Sequence, residues 1–192
     1  MIYPITIYGD PLLKRKAESI NKSYPKLDQL IEDMFETMYF AMGVGLAAPQ
    51  IGKSIRLFVV DSKLSKEDKS ADLKGVFINP LIVEKIGSLC KFEEGCLSIP
   101  GIRDEVSRPE GILLRYFDEN FISRTEEFHG IEARIIQHEY DHIEGILFTE
   151  RLSEFKKSLL KRKLKGVSEG RNLDTKYPVN VYRKSRRREG IM

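Results

Sequence analysis

The 192-residue chain contains no run of 18 apolar residues, which excludes a membrane-spanning helix of the usual length. Its opening, MIYPITIYGD, has neither a basic segment nor a long apolar one, so no secretory or transit signal is expected. Cysteine is scarce. Cys90 and Cys96 are the only two, too few for a disulfide framework, and in a reducing compartment both are expected as free thiols. There are only three histidines, and no internal repeat or extended low-complexity tract. What is present, 41% hydrophobic and 32% charged residues, suits one cytoplasmic globular domain, since this length can bury one ordinary core.

Charge is unevenly spread. Residues 153–192 hold 13 Lys and Arg against four Asp and Glu, whereas residues 1–152 hold 19 against 25. A weakly acidic body with a basic tail points to a tail that meets something anionic, set against the plainer reading of a solvated terminus.

Apolar spacing at Leu27, Leu30, Ile31, Met34 and Met38 predicts a helix, with Pro25 in its first turn and Gly43 at its stop. GVGLAAPQIG (43–52) is too rich in Gly and Pro to continue it, and IRLFVVD (55–61) reads as a buried strand. The polar run 62–75 reads as a surface loop, followed by short strands at 76–79, 81–86 and 88–92. Residues 111–118 and 121–128 suggest a hairpin joined across Glu119-Asn120. A helix is expected over about 131–144, closed by Gly145, and a last one over about 153–165 with Phe155, Leu159, Leu160 and Leu164 as its apolar stripe. This order predicts an α+β fold: antiparallel strands packed around a central helix, with one helix near the N-terminus and one near the C-terminus. Residues 1–192 form a single domain, of which about 153–192 are the C-terminal helix plus basic tail.

The central helix carries QHEYDHIEG (137–145). Residues four apart lie about 40° apart around a helix, so His138 and His142 can reach one ion, and Glu139 on the flank can reach a water beside it. In an H-E-x-x-H motif the imidazoles hold a metal and the carboxylate is a general base. Histidine pairs at this spacing also occur in packed or solvated helices; the intervening Glu and the apolar face with Ile131 and Ile135 favour the metal. Two ligands leave the site incomplete. His129 would need a tight reversal at Gly130, and the longer H-E-x-x-H-x-x-G-x-x-H pattern is absent. Glu150 or Glu154 would make a zinc endopeptidase of the thermolysin kind. Cys96, in EEGCLSIPG (93–101), is the stronger choice because a thiolate binds divalent transition metals tightly. A ribosome- or RNA-binding module with a structural metal, completed by Cys90, is a third reading.

Taken together, GVGLAAPQIG, EEGCLSIPG and QHEYDHIEG resemble, in order and spacing, the motifs G-x-G-x-A-A-x-Q, E-G-C-x-S and H-E-x-D-H of bacterial peptide deformylases. The resemblance spans about Val44 to Leu147. It implies a single catalytic domain, a metal-dependent hydrolase that removes the N-formyl group from formyl-methionine at the start of newly made polypeptides. Cys96, His138 and His142 would hold one divalent ion, Fe2+ in the cell, with Zn2+, Ni2+ or Co2+ as substitutes. Glu139 would be the proton carrier, and the Gln50 side chain and the Leu97 backbone N–H would face the developing oxyanion. The main chain at Gly45 would pair with the peptide, and Val44, Ile131 and Ile135 would line the methionine pocket. Arg103, Arg108 and Glu94 would support the Cys96 loop or the entrance, and Asp141 would be a supporting carboxylate. On the residues alone, Gln50 is an ordinary loop amide, Leu97 an ordinary strand residue, Ile131 and Ile135 core, and Arg103, Arg108 and Glu94 surface charges. The expected partners are nascent formyl-methionyl polypeptides and, through the basic tail, the ribosome, with no membrane and no DNA.

Overall fold

The structure is a computed structural model that describes residues 1–65, 68–171 and 173–183. After a short β1 (Ile5–Thr6), the first helix, α1 (Leu27–Phe40), buries Leu27, Leu30, Ile31, Met34 and Met38 as the spacing predicts. It starts later than expected. Lys26 has a φ of 55°, a left-handed conformation that no helix interior accepts, so Pro25 lies before the helix rather than in its first turn.

Strands β2 (Gly45–Ala47), β3 (Leu57–Asp61), β4 (Lys74–Cys96), β5 (Ile99–Phe117) and β6 (Ser123–His129) pair antiparallel in that order. Every residue of β3 is buried because side chains alternate between two covered faces. Leu57 and Val59 join α1 in one core, while Phe58 and Val60 join Phe77 and the helix α2 (Gly130–Ile143) in another. The sheet thus lies between α1 and the motif-bearing helix.

Where three short strands are expected between 76 and 92, β4 is continuous. Register shifts between Ile78 and Leu81, Ile82 and Glu84, and Ile86 and Leu89 absorb Pro80 and the left-handed Gly87 without breaking the ladder. Its partner β5 includes residues 99–110, where the pattern indicates no element. The β5–β6 turn spans 118–122 rather than two residues, because the Asp118 carboxylate accepts from the N–H groups of Asn120 and Ile122. Within 62–75, Ser62–Leu64 is a 3-10 turn and Lys74 already belongs to β4.

Gly145, with a φ of 74°, follows α2 as expected. The last helix, α3 (Glu154–Ser168), turns Leu160, Leu164 and Val167 onto a third core with Ile7, Ile99 and Phe148. Phe155 and Leu159 are 72% and 64% exposed, so the expected stripe is half wrong: the inward face falls at the i, i+4, i+7 positions from Leu160. Beyond α3 the chain returns as β7 (Val179–Asn180), parallel to β1. The rest of the expected basic tail, residues 184–192, lies outside the described residues. No described helix is long and apolar enough to cross a membrane.

Candidate metal centre

Strand β4 ends at Cys96, where a tight turn leads into β5, and α2 packs across that end of the sheet. The turn and the helix bring Cys96, His138 and His142 together, with ligand atoms all within 4.8 Å of one another. Cys96 Sγ lies 3.2 Å from His142 Nε2. Bond lengths of about 2.0–2.3 Å to sulfur and nitrogen are compatible with one ion among such atoms, with a fourth position left for a non-protein ligand. Among the described residues this is the one such group. The other candidates are elsewhere. Glu150 engages Lys14 and the Leu147 N–H, Glu154 engages Lys157, and exposed His129 lies 3.5 Å from Glu127. Cys90 contacts Arg134 and the Arg108 carbonyl instead of completing a four-ligand site.

His138 is oriented from behind. Its Nδ1–H donates to Glu94 Oε2 at 2.9 Å, since a carboxylate can only accept, and this leaves Nε2 as the ring nitrogen that can serve an ion. Glu94 in turn accepts from Arg108 through Nε at 2.6 Å and Nη2 at 2.8 Å, and from Arg134 at 3.1 Å. Arg108 also donates to Asp141 at 2.7 Å, and Arg151 pairs with Asp141 from the following turn. Burial alone would raise the Glu94 carboxyl, but Arg108 and His138 overcome it and hold the group well below the usual carboxylate range. Burial also works against charge on both imidazoles. At His138 hydrogen bonds with Cys96 and Glu94 win and raise its pKa well above the usual value, whereas burial and the His138 charge hold His142 well below it. Of the two imidazoles, His138 is thus the one that favours charge and His142 the one that favours the neutral form.

Glu139 stands apart from this network. It is 4% exposed, its Oε2 lacks a hydrogen-bond partner among the described residues, as does His142 Nδ1, and burial raises its pKa to about 7. Gly45 makes its place. A Cβ there would lie 2.5 Å from Glu139 Oε1, so only glycine lets the strand approach so closely. Gly45 pairs with Val60, and β2 is the edge strand of the five-stranded sheet.

Gln50, 2% exposed, sits in the 3-10 turn after β2. Its Oε1 accepts from the Ala47 N–H at 2.8 Å, which turns Nε2 toward Ser98 Oγ at 3.2 Å and Cys96 Sγ at 3.6 Å. The Leu97 N–H has no hydrogen-bond partner among the described residues, while its carbonyl accepts from the Tyr177 hydroxyl at 2.9 Å. Val44, Gly45, Ile131, Ile135 and Arg103 all line a cleft of about 730 Å³ beside these groups. Val44, Ile131 and Ile135 also pack into the core beneath α2, so each meets the core as well as the cleft. Arg103 is at the rim, more than half exposed and 2.7 Å from Glu93, away from the ligand atoms.

Three contributors escape the sequence reading. Arg134 had a signal, an arginine four residues before His138 on the same helical face. Ser98 lies inside the Cys96 motif. Tyr177 is 80 residues from Leu97 and offers no local signal at all.

A family model described as polypeptide deformylase matches residues 2–158. A peptide deformylase of Christiangramia forsetii is 52% identical over 180 residues, 89% of this chain and 92% of that protein. One from Chlorobaculum tepidum is 46% identical over 93% of this chain and 94% of its own length. Among solved structures, a peptide deformylase from Thermus thermophilus superposes with a TM-score of 0.79 at 42% identity, covering 88% of this chain and 99% of that one. One from Legionella pneumophila gives 0.78 at 40% identity, covering 88% and 96%.

Proposed function

The chain belongs to the polypeptide deformylase family, metal-dependent hydrolases that remove the N-formyl group from the formyl-methionine of newly made polypeptides, and from that premise we propose how its own residues divide the work. Cys96, His138 and His142 hold the divalent ion, Fe2+ in the cell, with Zn2+, Ni2+ or Co2+ able to replace it in this S-N-N donor set. When bound, such an ion supplies a Lewis acid and lowers the pKa of a water at neutral pH. Glu139 takes the proton of the attacking water and delivers it to the departing amine, so that formamide and water become formate and a free N-terminus. Its pKa near 7 suits a group that must accept and then release a proton at neutral pH.

As the formyl carbon becomes tetrahedral, the Gln50 amide and the Leu97 N–H donate to its oxygen. Each such donor contributes about 2.7–4 kcal/mol to the rate. The peptide lies along the edge of β2 and pairs with the main chain at Gly45. Val44, Ile131 and Ile135 surround the methionine side chain, and Arg103 steers the peptide at the rim. The observation that carries this reading is the convergence of Cys96, His138 and His142 beside a buried Glu139 carboxylate whose Oε2 has no partner among the described residues. An HExxH endopeptidase is not favoured, because the carboxylates it needs as third ligand are engaged elsewhere.

The enzyme acts in the cytoplasm, and the basic segment from Lys156 to Arg188 meets the ribosome. Loss of salt-sensitive ribosome binding on removing that segment tests the contact. Formate release from a formyl-Met peptide, measured anaerobically on iron-loaded protein, tests the reaction. Wild type is expected to turn over and Glu139→Ala to be slower by about 10²–10⁴-fold. No formate from the wild type would sink the proposal, and a variant as fast as wild type would remove Glu139 from it. Metal analysis after anaerobic purification tests the ion, with iron expected and zinc in its place overturning that assignment.

A further inference from the structure

The family match ends at residue 158, yet Asp174, Thr175 and Tyr177 line the cleft. They reach it because the chain reverses after α3 and runs back along β1. Ile5 N–H donates to the Pro178 carbonyl at 2.8 Å, and Ile7 N–H to the Asn180 carbonyl at 3.2 Å. Thr175 Oγ1 donates to the Tyr177 carbonyl at 3.1 Å, and the Tyr177 ring packs with Leu97 against the core beneath α1. The backbone and the ring of Tyr177 are therefore each held before its hydroxyl is considered.

That hydroxyl donates to the Leu97 carbonyl at 2.9 Å. Two further bonds hold the next residue: the Tyr8 N–H donates to the Ser98 carbonyl at 2.8 Å, and Gln50 Nε2 donates to Ser98 Oγ at 3.2 Å. The turn after Cys96 is thus fastened at three points, and the Leu97 N–H has no partner among the described residues. Burial raises the Tyr177 hydroxyl to about 12, so it stays a donor at every working pH.

We propose that Tyr177 is a positioning residue for the deformylation reaction: by holding the Leu97 carbonyl, the segment after α3 fixes the angle at which the Leu97 N–H meets the oxyanion. This rests on the functional reading above, in which Leu97 donates to the reacting oxygen. The hydroxyl is committed to the Leu97 carbonyl and belongs to none of the three residues grouped for the metal. Its removal should therefore affect the chemical step and leave substrate binding and metal content alone.

Tyr177→Phe removes only the hydroxyl. One hydrogen bond acting through a neighbouring donor corresponds to a fall in kcat of about 3–10-fold, with KM within about twofold. The thiolate-to-metal absorption of the cobalt-loaded protein should not move, since Cys96 is held by other groups. In a Gln50→Ala background, which already loosens the same turn, the loss on Tyr177→Phe should be smaller. An unchanged kcat would overturn the proposal. So would a variant that fails to fold, loses metal or melts more than about 4 °C lower, because the hydroxyl would then be a structural group. Wild type without activity would strike the functional reading instead, whereas active wild type beside an equally active Tyr177→Phe would strike this proposal alone.

Discussion

Glu94 and Glu139 are 5% and 4% exposed and both act beside His138, but the regions around them treat a carboxylate in opposite ways. Below the histidines, Glu94 meets Arg108, Arg134 and the His138 ring, and the three donors hold it as an anion. Above them, at the cleft, Glu139 shares its space with the glycine edge of β2, and one of its oxygens has no partner among the described residues. Equal burial yields a depressed pKa in one place and a raised one in the other. The difference lies in what the fold brings near each group. In the proposed reaction this contrast lets one carboxylate anchor a ligand and the other move a proton.

Glu139→Gln should have the largest effect of breaking this contrast, a loss of about 10²–10⁴-fold in formate release with folding stability unchanged or improved. The sign follows from linkage. Because Glu139 titrates near 7 in the folded chain rather than at its ordinary 4.5, it favours folding below about pH 4.5 and that contribution disappears as pH rises through about 7. Unfolding curves of metal-free wild type should therefore weaken across about pH 5–8 relative to Glu139→Gln, and parallel curves would contradict the assignment.

Glu94→Gln should act on stability first. It leaves Arg134 buried without its anion and Arg108 with Asp141 alone, at a cost of about 3–5 kcal/mol in denaturant unfolding. It also weakens the acceptor that orients His138, so metal affinity should fall by about 10–100-fold in a titration. Here the pH sign is reversed. The Glu94 contribution is present above the ordinary carboxylate value and is lost as pH falls toward its depressed one, so wild type should lose its advantage over the variant in acid.

Arg103→Ala sharpens the comparison from the other end. Its pair with Glu93 is more than half exposed, so unfolding should change by less than about 1 kcal/mol. The expected kinetic effect is a modest rise in KM with kcat retained, and a fall in kcat would place Arg103 closer to the chemistry than the rim.

Local geometry explains which parts of this site could be read from the chain. His138, Glu139 and His142 follow from helical spacing, and the α1 core positions follow from the same rule. Cys96 was legible because it lies in a short motif. The continuity of the β4–β5 ribbon was not, since Gly87, Pro80 and many charged residues hide an alternation that only the ladder restores. The α3 stripe misled for a related reason: Phe155 and Leu159 satisfy a helical spacing, but the body of the protein meets the neighbouring face through Leu160, Leu164 and Val167. Tyr177 left no trace, because its partner Leu97 is distant in the chain and a backbone carbonyl carries no residue identity.

By itself the sequence determined that one helix presents two imidazoles and a carboxylate to a common neighbourhood, because 3.6 residues per turn converts spacing into a shared face. Only the tertiary structure decided that Cys96 completes the group, with its sulfur 3.2 Å from His142. It also decided that, among the described residues, Glu94 is ion-paired and Glu139 is not. Those outcomes depend on long-range pairing: β5 carries Arg108 back beside Glu94, and the edge of β2 brings a residue without a side chain to Glu139. A carboxylate's chemistry is set by the charges and dielectric that folding assembles around it, and no local spacing encodes them.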